Sequence, residues 1–292
     1  MIHYLYSFLL ALAFLALCRL VSKRYILWLG MITVLAIVHL LHLTDPPFAR
    51  MVVICSVMLI CMKGIVLAEW GGYLTWPRWL MFTFLWLGME PSPFTAKKRK
   101  LSWKKDAVIG LCCLTVGLTL SIVVAHTETN AILIMFVPLS LAVHFGLLRL
   151  LTAFWRFQGI AVRPLFRNPL RSRSLADFWA KRWNLSYSQM MARAVQRPLT
   201  SRLGKRGALI VVFLVSGLLH ELAITVPVQT GYGLPTLYFL FHGIFVIIEH
   251  DSWPLWLRRA LALILVVAPL PILFPPDFTQ NVIRFTLNYL TL

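Results

Sequence analysis

Eight stretches of 16 to 20 mostly apolar residues run through the chain, at about 3–20, 25–43, 51–69, 106–125, 131–150, 207–226, 235–250 and 260–275. A hydrocarbon layer roughly 30 Å thick takes about 20 residues of α-helix, and within it only helices or closed barrels satisfy their own backbone polar groups. Stretches of this length predict an all-α, polytopic transmembrane bundle with about eight spans, the last two short. A ninth apolar stretch, Trp79 to Met89, has only 11 residues and is expected to be a re-entrant or interfacial helix. The composition agrees: 60% of residues are apolar or aromatic and 13% are charged, against about 25% charged in soluble domains. That excludes an ordinary soluble domain, and also disorder, which needs low hydrophobicity.

The few charges are lopsided, with 28 Lys and Arg against 10 Asp and Glu for a net +18. Such an excess suits nucleic acid or a membrane surface, and the apolar background selects membrane lipids with no nucleic acid. Arg19, Lys23 and Arg24 follow the first stretch rather than precede it, so the first stretch reads as a retained helix and not a signal peptide. Arg78 and the run from Lys97 to Lys105 follow the third span, thirteen basic residues lie from Arg149 to Arg206, and Arg258 and Arg259 precede the last. These four regions hold 25 of the 28 cations and share one side if the ninth stretch does not cross. The positive-inside rule makes that side cytoplasmic and puts both termini opposite it. Short loops and the lack of targeting tails favour a bacterial inner membrane over endoplasmic reticulum. The organisation expected is a single membrane-embedded domain over 1–292. It comprises N-terminal helices over 1–150, a cytoplasmic interfacial segment over 151–206 and C-terminal helices over 207–292.

The interfacial segment mixes bases with Trp155, Phe157, Phe166, Phe178, Trp179, Trp183 and Tyr187, a composition suited to a membrane surface. Ser174 can cap a helix beginning at Leu175, with Asp177 in its first turn. Leu175, Phe178, Trp179 and Trp183 then share one face, and Asp177, Lys181 and Asn184 the other, with Asp177 and Lys181 as an i,i+4 ion pair. A second amphipathic candidate near the end puts Phe278, Val282, Phe285 and Tyr289 on one face. Cys18, Cys55, Cys61, Cys112 and Cys113 are odd in number and lie in apolar runs, without zinc spacing, so free thiols and no metal are expected.

Ionisable residues inside a span are costly, and each is a functional hypothesis. His39 and His42 sit near the outer end of the second span and should reach the interface. Lys63 is placed to snorkel, and Glu249 and His250 fall at a helix end. His144 and His242 lie deeper, as hydrogen-bonded packing residues or as functional ones. His220 stands well inside its span in the run Ser216-Gly217-Leu218-Leu219-His220-Glu221. Gly217 would let a helix or ligand approach closely, and a neutral imidazole held away from water can serve as a general base. The same histidine could equally be a packed core residue. An HExxH zinc site is excluded, because Ala223 and Ile224 stand where its second half should be.

The blocks Ser174-Leu175-Ala176-Asp177-Phe178-Trp179-Ala180-Lys181-Arg182-Trp183-Asn184 and Ser216-Gly217-Leu218-Leu219-His220-Glu221 resemble the membrane-bound O-acyltransferase family, in its wax-synthase-like branch. Gly88-Met89-Glu90-Pro91-Ser92-Pro93-Phe94 is similar to a shorter motif of that branch. The resemblance covers about 160–250. It implies transfer of an acyl group from acyl-coenzyme A, a co-substrate rather than a bound cofactor, to the hydroxyl of a lipophilic acceptor such as a long-chain alcohol, sterol or other isoprenoid. It implies His220 as the base that deprotonates the hydroxyl, and Asn184 as the amide that positions the thioester or stabilises developing charge. Substrate contacts are then expected from Asp177, Phe178, Trp179, Arg182, Trp183, Ser216 and Glu221. Arg163, Arg167, Arg171, Arg173, Lys181 and Arg182 could hold coenzyme A phosphates, or serve only as a topology signal. Trp179 and Trp183 read as interfacial anchors or as walls of an acyl tunnel. The competing reading is a non-catalytic transporter with His220 and Glu221 as a proton or substrate site; it predicts repeat symmetry between the halves, which the sequence lacks.

The orientation is testable by cysteine labelling. A cysteine at Ser102 should react from the cytoplasmic side and one at Thr129 from the opposite side; reaction of both from one side would overturn it.

Overall fold

A computed structural model describes residues 2–21, 23–126 and 132–284. The α-helices are α1 (Ile2–Leu20), α2 (Arg24–Leu41), α3 (Pro47–Trp70), α4 (Trp76–Leu80), α5 (Lys104–His126), α6 (Phe136–Ser140), α7 (Leu148–Phe157), α8 (Leu175–Lys181), α9 (Leu185–Met191), α10 (Arg197–Ala223), α11 (Thr225–Val228), α12 (Leu234–Ile248), α13 (Leu255–Val267), α14 (Leu270–Leu273) and α15 (Pro276–Phe278). There is no strand among the described residues. Seven stretches are long and apolar enough to cross a bilayer, among them Phe136–Phe157, Leu185–Val228 and Leu255–Leu273, and α12 is a shorter eighth apolar helix. The chain is thus an all-α polytopic bundle, as its apolar runs predict. Phe285, Tyr289 and Thr129 lie outside the described residues, so the second amphipathic face can be followed only through Phe278 and Val282, both buried.

Boundaries shift where polar residues ride inside helices. The fifth span runs on to Phe157 because Arg149 and Arg156 extend from it to Asp106, at 2.7 Å and 2.5 Å, and need no exit into a loop. The span carrying His220 reaches back through the basic stretch to Leu185, broken at Gly204, whose φ of 68° is left-handed. The segment between these spans is therefore shorter than 151–206.

Helix α5 is inverted relative to a soluble helix. Its buried residues are Asp106, Gly110, Gly117 and Ser121, while Val108, Leu111, Ile122 and Val123 are exposed. Small and polar residues at the helix contact with branched residues outward is the pattern of a helix solvated by lipid. On the other flank, α1, α2 and α3 pack through Phe14, Cys18, Leu27, Met31, Leu35, Ile54 and Cys61, in a core that continues to Met190 and Leu219. All five cysteines are free thiols, as expected.

The ninth apolar stretch does not cross. It breaks into α4, a π-helical turn over Met81–Leu85 and an extended run from Trp86. Its freed carbonyls are met by donors from three other helices: Trp155 Nε1 donates to Leu85 O at 3.2 Å, Ser186 Oγ to Leu87 O at 2.6 Å, and Lys63 Nζ to Gly88 O. Glu90 pairs with Arg193 at 2.9 Å. Lys63 therefore does not snorkel. It is fully buried, with its ammonium 3.7 Å from the centroid of the Phe82 ring, because the re-entrant loop supplies the acceptor that water would otherwise give. His42 likewise stays out of the interface and is fully buried.

Replacing Lys63 by Met keeps the volume and removes the donor, which leaves a buried carbonyl without its partner. The expected loss is about 1–3 kcal/mol, read as a lower unfolding midpoint in detergent; an unchanged midpoint would show the ammonium is not needed to hold the loop.

Candidate active site

His220 is fixed by what its neighbours on α10 do. A Cβ on Gly217 would lie 2.6 Å from Thr236 Cα, so only glycine lets α10 and α12 meet this closely. Glu221 faces the same contact: Oε1 accepts from the Thr236 N–H at 2.9 Å and its hydroxyl at 2.8 Å, and Oε2 accepts from the Thr225 hydroxyl. With Gly217 and Glu221 spent on α12 and α11, His220 is turned elsewhere. Its Nδ1 lies 2.7 Å from Ser216 O. A carbonyl can only accept, so Nδ1 carries the proton and Nε2 keeps a lone pair. The ring packs against Phe239 at 4.2 Å and Tyr187 at 5.8 Å between centroids.

Asn184 arrives from a separate construction. Ser174 caps α8 as its sequence predicts, accepting from the Asp177 N–H at 2.9 Å. Glu249 adds its carboxylate to the same helix start, accepting from the Leu175 and Ala176 N–H groups at 3.2 Å and 3.3 Å. Asp177 pairs with Arg182 at 2.5 Å and not with Lys181, because α8 ends at Lys181 and the chain folds Arg182 back. Burial opposes the Asp177 carboxylate, but Arg182 and the Arg173 N–H outweigh it and hold the carboxyl below its usual range. Asn184 leaves the α8 face for the same reason. It sits at φ 42° and caps α9, Oδ1 accepting from the Tyr187 N–H at 3.2 Å. Asparagine tolerates this left-handed position better than most residues. With Oδ1 engaged, its NH2 is the group left to donate.

Both residues border one cavity of about 1450 Å³. Phe178, Trp179, Trp183, Asn184, Ser216 and His220 all line it. Asp177, Arg182 and Glu221 do not: they are tied up in the pairs just described, which place the residues that do. Trp179 and Trp183 are walls rather than surface anchors. Trp183 stacks on Phe178 at 5.5 Å and 14°, and touches His144 and Phe166. Tyr187, Phe239 and Gln189 also line the cavity; in the sequence Tyr187 reads only as an interfacial aromatic, and Phe239 and Gln189 carry no cue beyond lying near the two blocks. His144 borders the cavity too, carried there by a π-helical segment over Leu141–Leu147 and bonded to Ser140 Oγ at 2.9 Å. His242 is fully buried, its Nδ1 2.7 Å from Tyr238 O.

A second pocket of about 440 Å³ is polar, lined by Arg99, Arg163, Glu90 and Gln189 among others. Gln189 is common to both spaces. The two basic stretches meet beside it, the Arg99 N–H donating to Gly159 O at 3.2 Å. Burial and the neighbouring Arg163 and Arg149 depress the Arg167 guanidinium. Among the described residues, no cluster of three or more His, Cys, Asp or Glu ligand atoms forms at either space.

Residues 162–241, which include both blocks, match the family described as membrane bound O-acyl transferase. A probable long-chain-alcohol O-fatty-acyltransferase 9 of Arabidopsis thaliana is 35% identical over 95 residues, 30% of this chain and 28% of that protein. The long-chain-alcohol O-fatty-acyltransferase of Simmondsia chinensis is 31% identical over 100 residues, 31% of this chain and 28% of that protein. A probable long-chain-alcohol O-fatty-acyltransferase 7 of Arabidopsis thaliana is 32% identical over 126 residues, 39% of this chain and 36% of that protein. The matched part thus spans under two fifths of each relative. These relatives are plant proteins and lend no support to a bacterial inner membrane; what stands is an integral multi-pass membrane protein. Residues 162–241 are thus similar to the membrane bound O-acyl transferase family, and the relatives matched over this region lie on its wax-synthase-like side.

Proposed function

We propose that the chain transfers an acyl group from acyl-coenzyme A to the hydroxyl of a long-chain alcohol. The reading rests on one observation above others: His220 on α10 and Asn184 at the cap of α9 border one largely apolar cavity. The relatives, long-chain-alcohol O-fatty-acyltransferases by name, favour a long-chain alcohol over a sterol or other isoprenoid. In this mechanism the alcohol proton passes to His220 Nε2 as the oxygen attacks the thioester carbonyl. The Asn184 NH2 donates to the oxyanion of the tetrahedral intermediate. Collapse expels the coenzyme A thiolate, which takes the proton from His220. A positioned base contributes about 10²–10⁴-fold, and one oxyanion donor about 10²–10³-fold. Direct attack needs no serine or cysteine nucleophile at the cavity.

The donor's two ends suit the two spaces. The acyl chain and the alcohol fit among Phe178, Trp179, Trp183 and Phe239. The polyanionic head group suits Arg99 and Arg163, with Gln189 where pantetheine would pass between. Of the arginines offered by the sequence for the phosphates, Arg163 lines that pocket, and Arg99 joins it from the other basic stretch.

Purified protein with labelled acyl-coenzyme A and a panel of alcohols tests the chemistry. His220→Ala should lower ester formation by about 10²–10⁴-fold. Asn184→Asp keeps the capping oxygen and removes the donor, so it should lose about 10²–10³-fold while the unfolding midpoint holds. Full activity in His220→Ala would end the proposal. For the donor site, Arg163→Gln should raise the KM for acyl-coenzyme A by roughly tenfold, the worth of one charge-assisted hydrogen bond, and leave the alcohol KM unchanged. Equal effects on both KM values would remove Arg163 from the donor pocket.

A further inference from the structure

Away from the cavity, two parts of the fold converge on one point, the start of α1 bringing His3 and Tyr4 to His42 and Asp45 of the α2–α3 connection. Asp45 Oδ2 lies 2.7 Å from His42 Nδ1 and 3.4 Å from His3 Nε2, and accepts from the Tyr4 hydroxyl at 2.7 Å. One nitrogen from each histidine and one carboxylate oxygen of Asp45 all lie within 4.8 Å of one another. Ligand atoms about 2.0–2.1 Å from a tetrahedral metal stand roughly 3.3 Å apart, and the observed spacings bracket that value. His42 is fully buried, and its far nitrogen, Nε2, is held by Ser7 Oγ at 2.9 Å, the outer partner that orients a ligating imidazole. His3 Nε2 is shielded from solvent and has no hydrogen-bond partner among the described residues. A buried nitrogen without a partner is costly, and a cation would supply one.

The ligand-bearing backbone is already rigid. The buried Arg50 donates from Nε to His42 O at 3.0 Å, from Nη2 to Asp45 O at 2.9 Å and from Nη1 to Pro227 O at 3.1 Å. Ser7, His42 and Asp45 also stand in the order of a hydrolytic triad. However, Ser7 is 1% exposed within α1, so no acyl group can reach its hydroxyl. Two imidazole nitrogens and one carboxylate oxygen suit borderline transition ions and not magnesium or calcium, which take oxygen donors.

We propose that His3, His42 and Asp45 bind one divalent transition-metal ion of the zinc class, on the face opposite the basic loops. The fourth position is left to water beside the Tyr4 hydroxyl. On loading, neutral His42 carries its one proton on Nε2, which donates to Ser7 Oγ, so that the Nδ1 lone pair goes to the ion and Asp45 gives it a carboxylate oxygen in place of the hydrogen bond to Nδ1. The ion would tie the start of α1 to the α2–α3 connection and is independent of acyl transfer.

The test uses the full chain in detergent, purified without a polyhistidine tag, stripped with EDTA and titrated with Zn²⁺. About one Zn²⁺ per chain should bind. At 100-fold excess over Kd the unfolding midpoint should rise by about 3 °C or more, and EDTA should reverse it. His42 variants risk unfolding, so His3→Gln, at a partly exposed position, carries the comparison: it should fold, bind at least tenfold more weakly and lose most of the midpoint shift. No binding to wild type, or equal binding by His3→Gln, would overturn the site and leave a hydrogen-bonded rivet.

Discussion

Where α10 crosses α12 there is no room for a side chain at position 217, and the same crossing buries a carboxylate at position 221. A buried charge is tolerable only when its oxygens are met by donors, and Thr236 and Thr225 meet both oxygens of Glu221. These two demands fix the rotation of α10 about its own axis. His220 follows Leu219 and precedes Glu221, so that rotation decides where its ring points. The position of the histidine is thus set by two residues that do not touch the cavity. The tautomer is set by a third group, the Ser216 carbonyl one turn back, which can take a proton from Nδ1 but cannot give one.

Asn184 depends on a different set of contacts for the same kind of reason. A seven-residue helix such as α8 is too short to be stable on its own propensity. It is held by Ser174 and Glu249 at its start and by the packing of Leu175 and Phe178 beneath. The chain then turns back, with Asp177 holding Arg182, and enters α9 through the left-handed Asn184. The capping role consumes one end of the amide and aims the other, so the left-handed backbone and the free donor belong to one arrangement.

Helical spans were legible in the sequence because lipid removes every alternative for an apolar run of that length. The two blocks that build the cavity were legible because their residue types are unusual together, and Gly217 was legible as a close approach. What the sequence did not disclose was which polar residues stay inside. Lys63 and His42 look like groups that should reach water, since hydropathy scores a side chain without its partner. Of their partners, Gly88 O for Lys63 and Ser7 for His42 come from other parts of the chain, and Asp45 meets His42 through the turn that follows α2. Asp177, Arg182 and Glu221 look like substrate contacts by sitting within a recognisable block, yet each is bonded within the protein. Spacing along a helix also failed at Lys181: it lies in α8 with Asp177, but Arg182, folded back just past the helix end, takes the carboxylate.

The re-entrant stretch joins the N-terminal helices to the site, and it does so through its unsatisfied backbone. Three carbonyls in the short run from Leu85 to Gly88 need donors where water is scarce. Those donors come from α3, α7 and α9. Ser186 lies two residues beyond Asn184 on α9, and Arg193, which holds Glu90, follows within two turns. Any displacement of the loop would therefore drag α9, and with it the asparagine amide and Gln189, the residue common to both spaces. A segment too short to cross the membrane is better suited to this task than a span would be, because a regular helix keeps its carbonyls for itself. By breaking the helix at Leu85, the chain frees the acceptors that fix the register of α9 against α3.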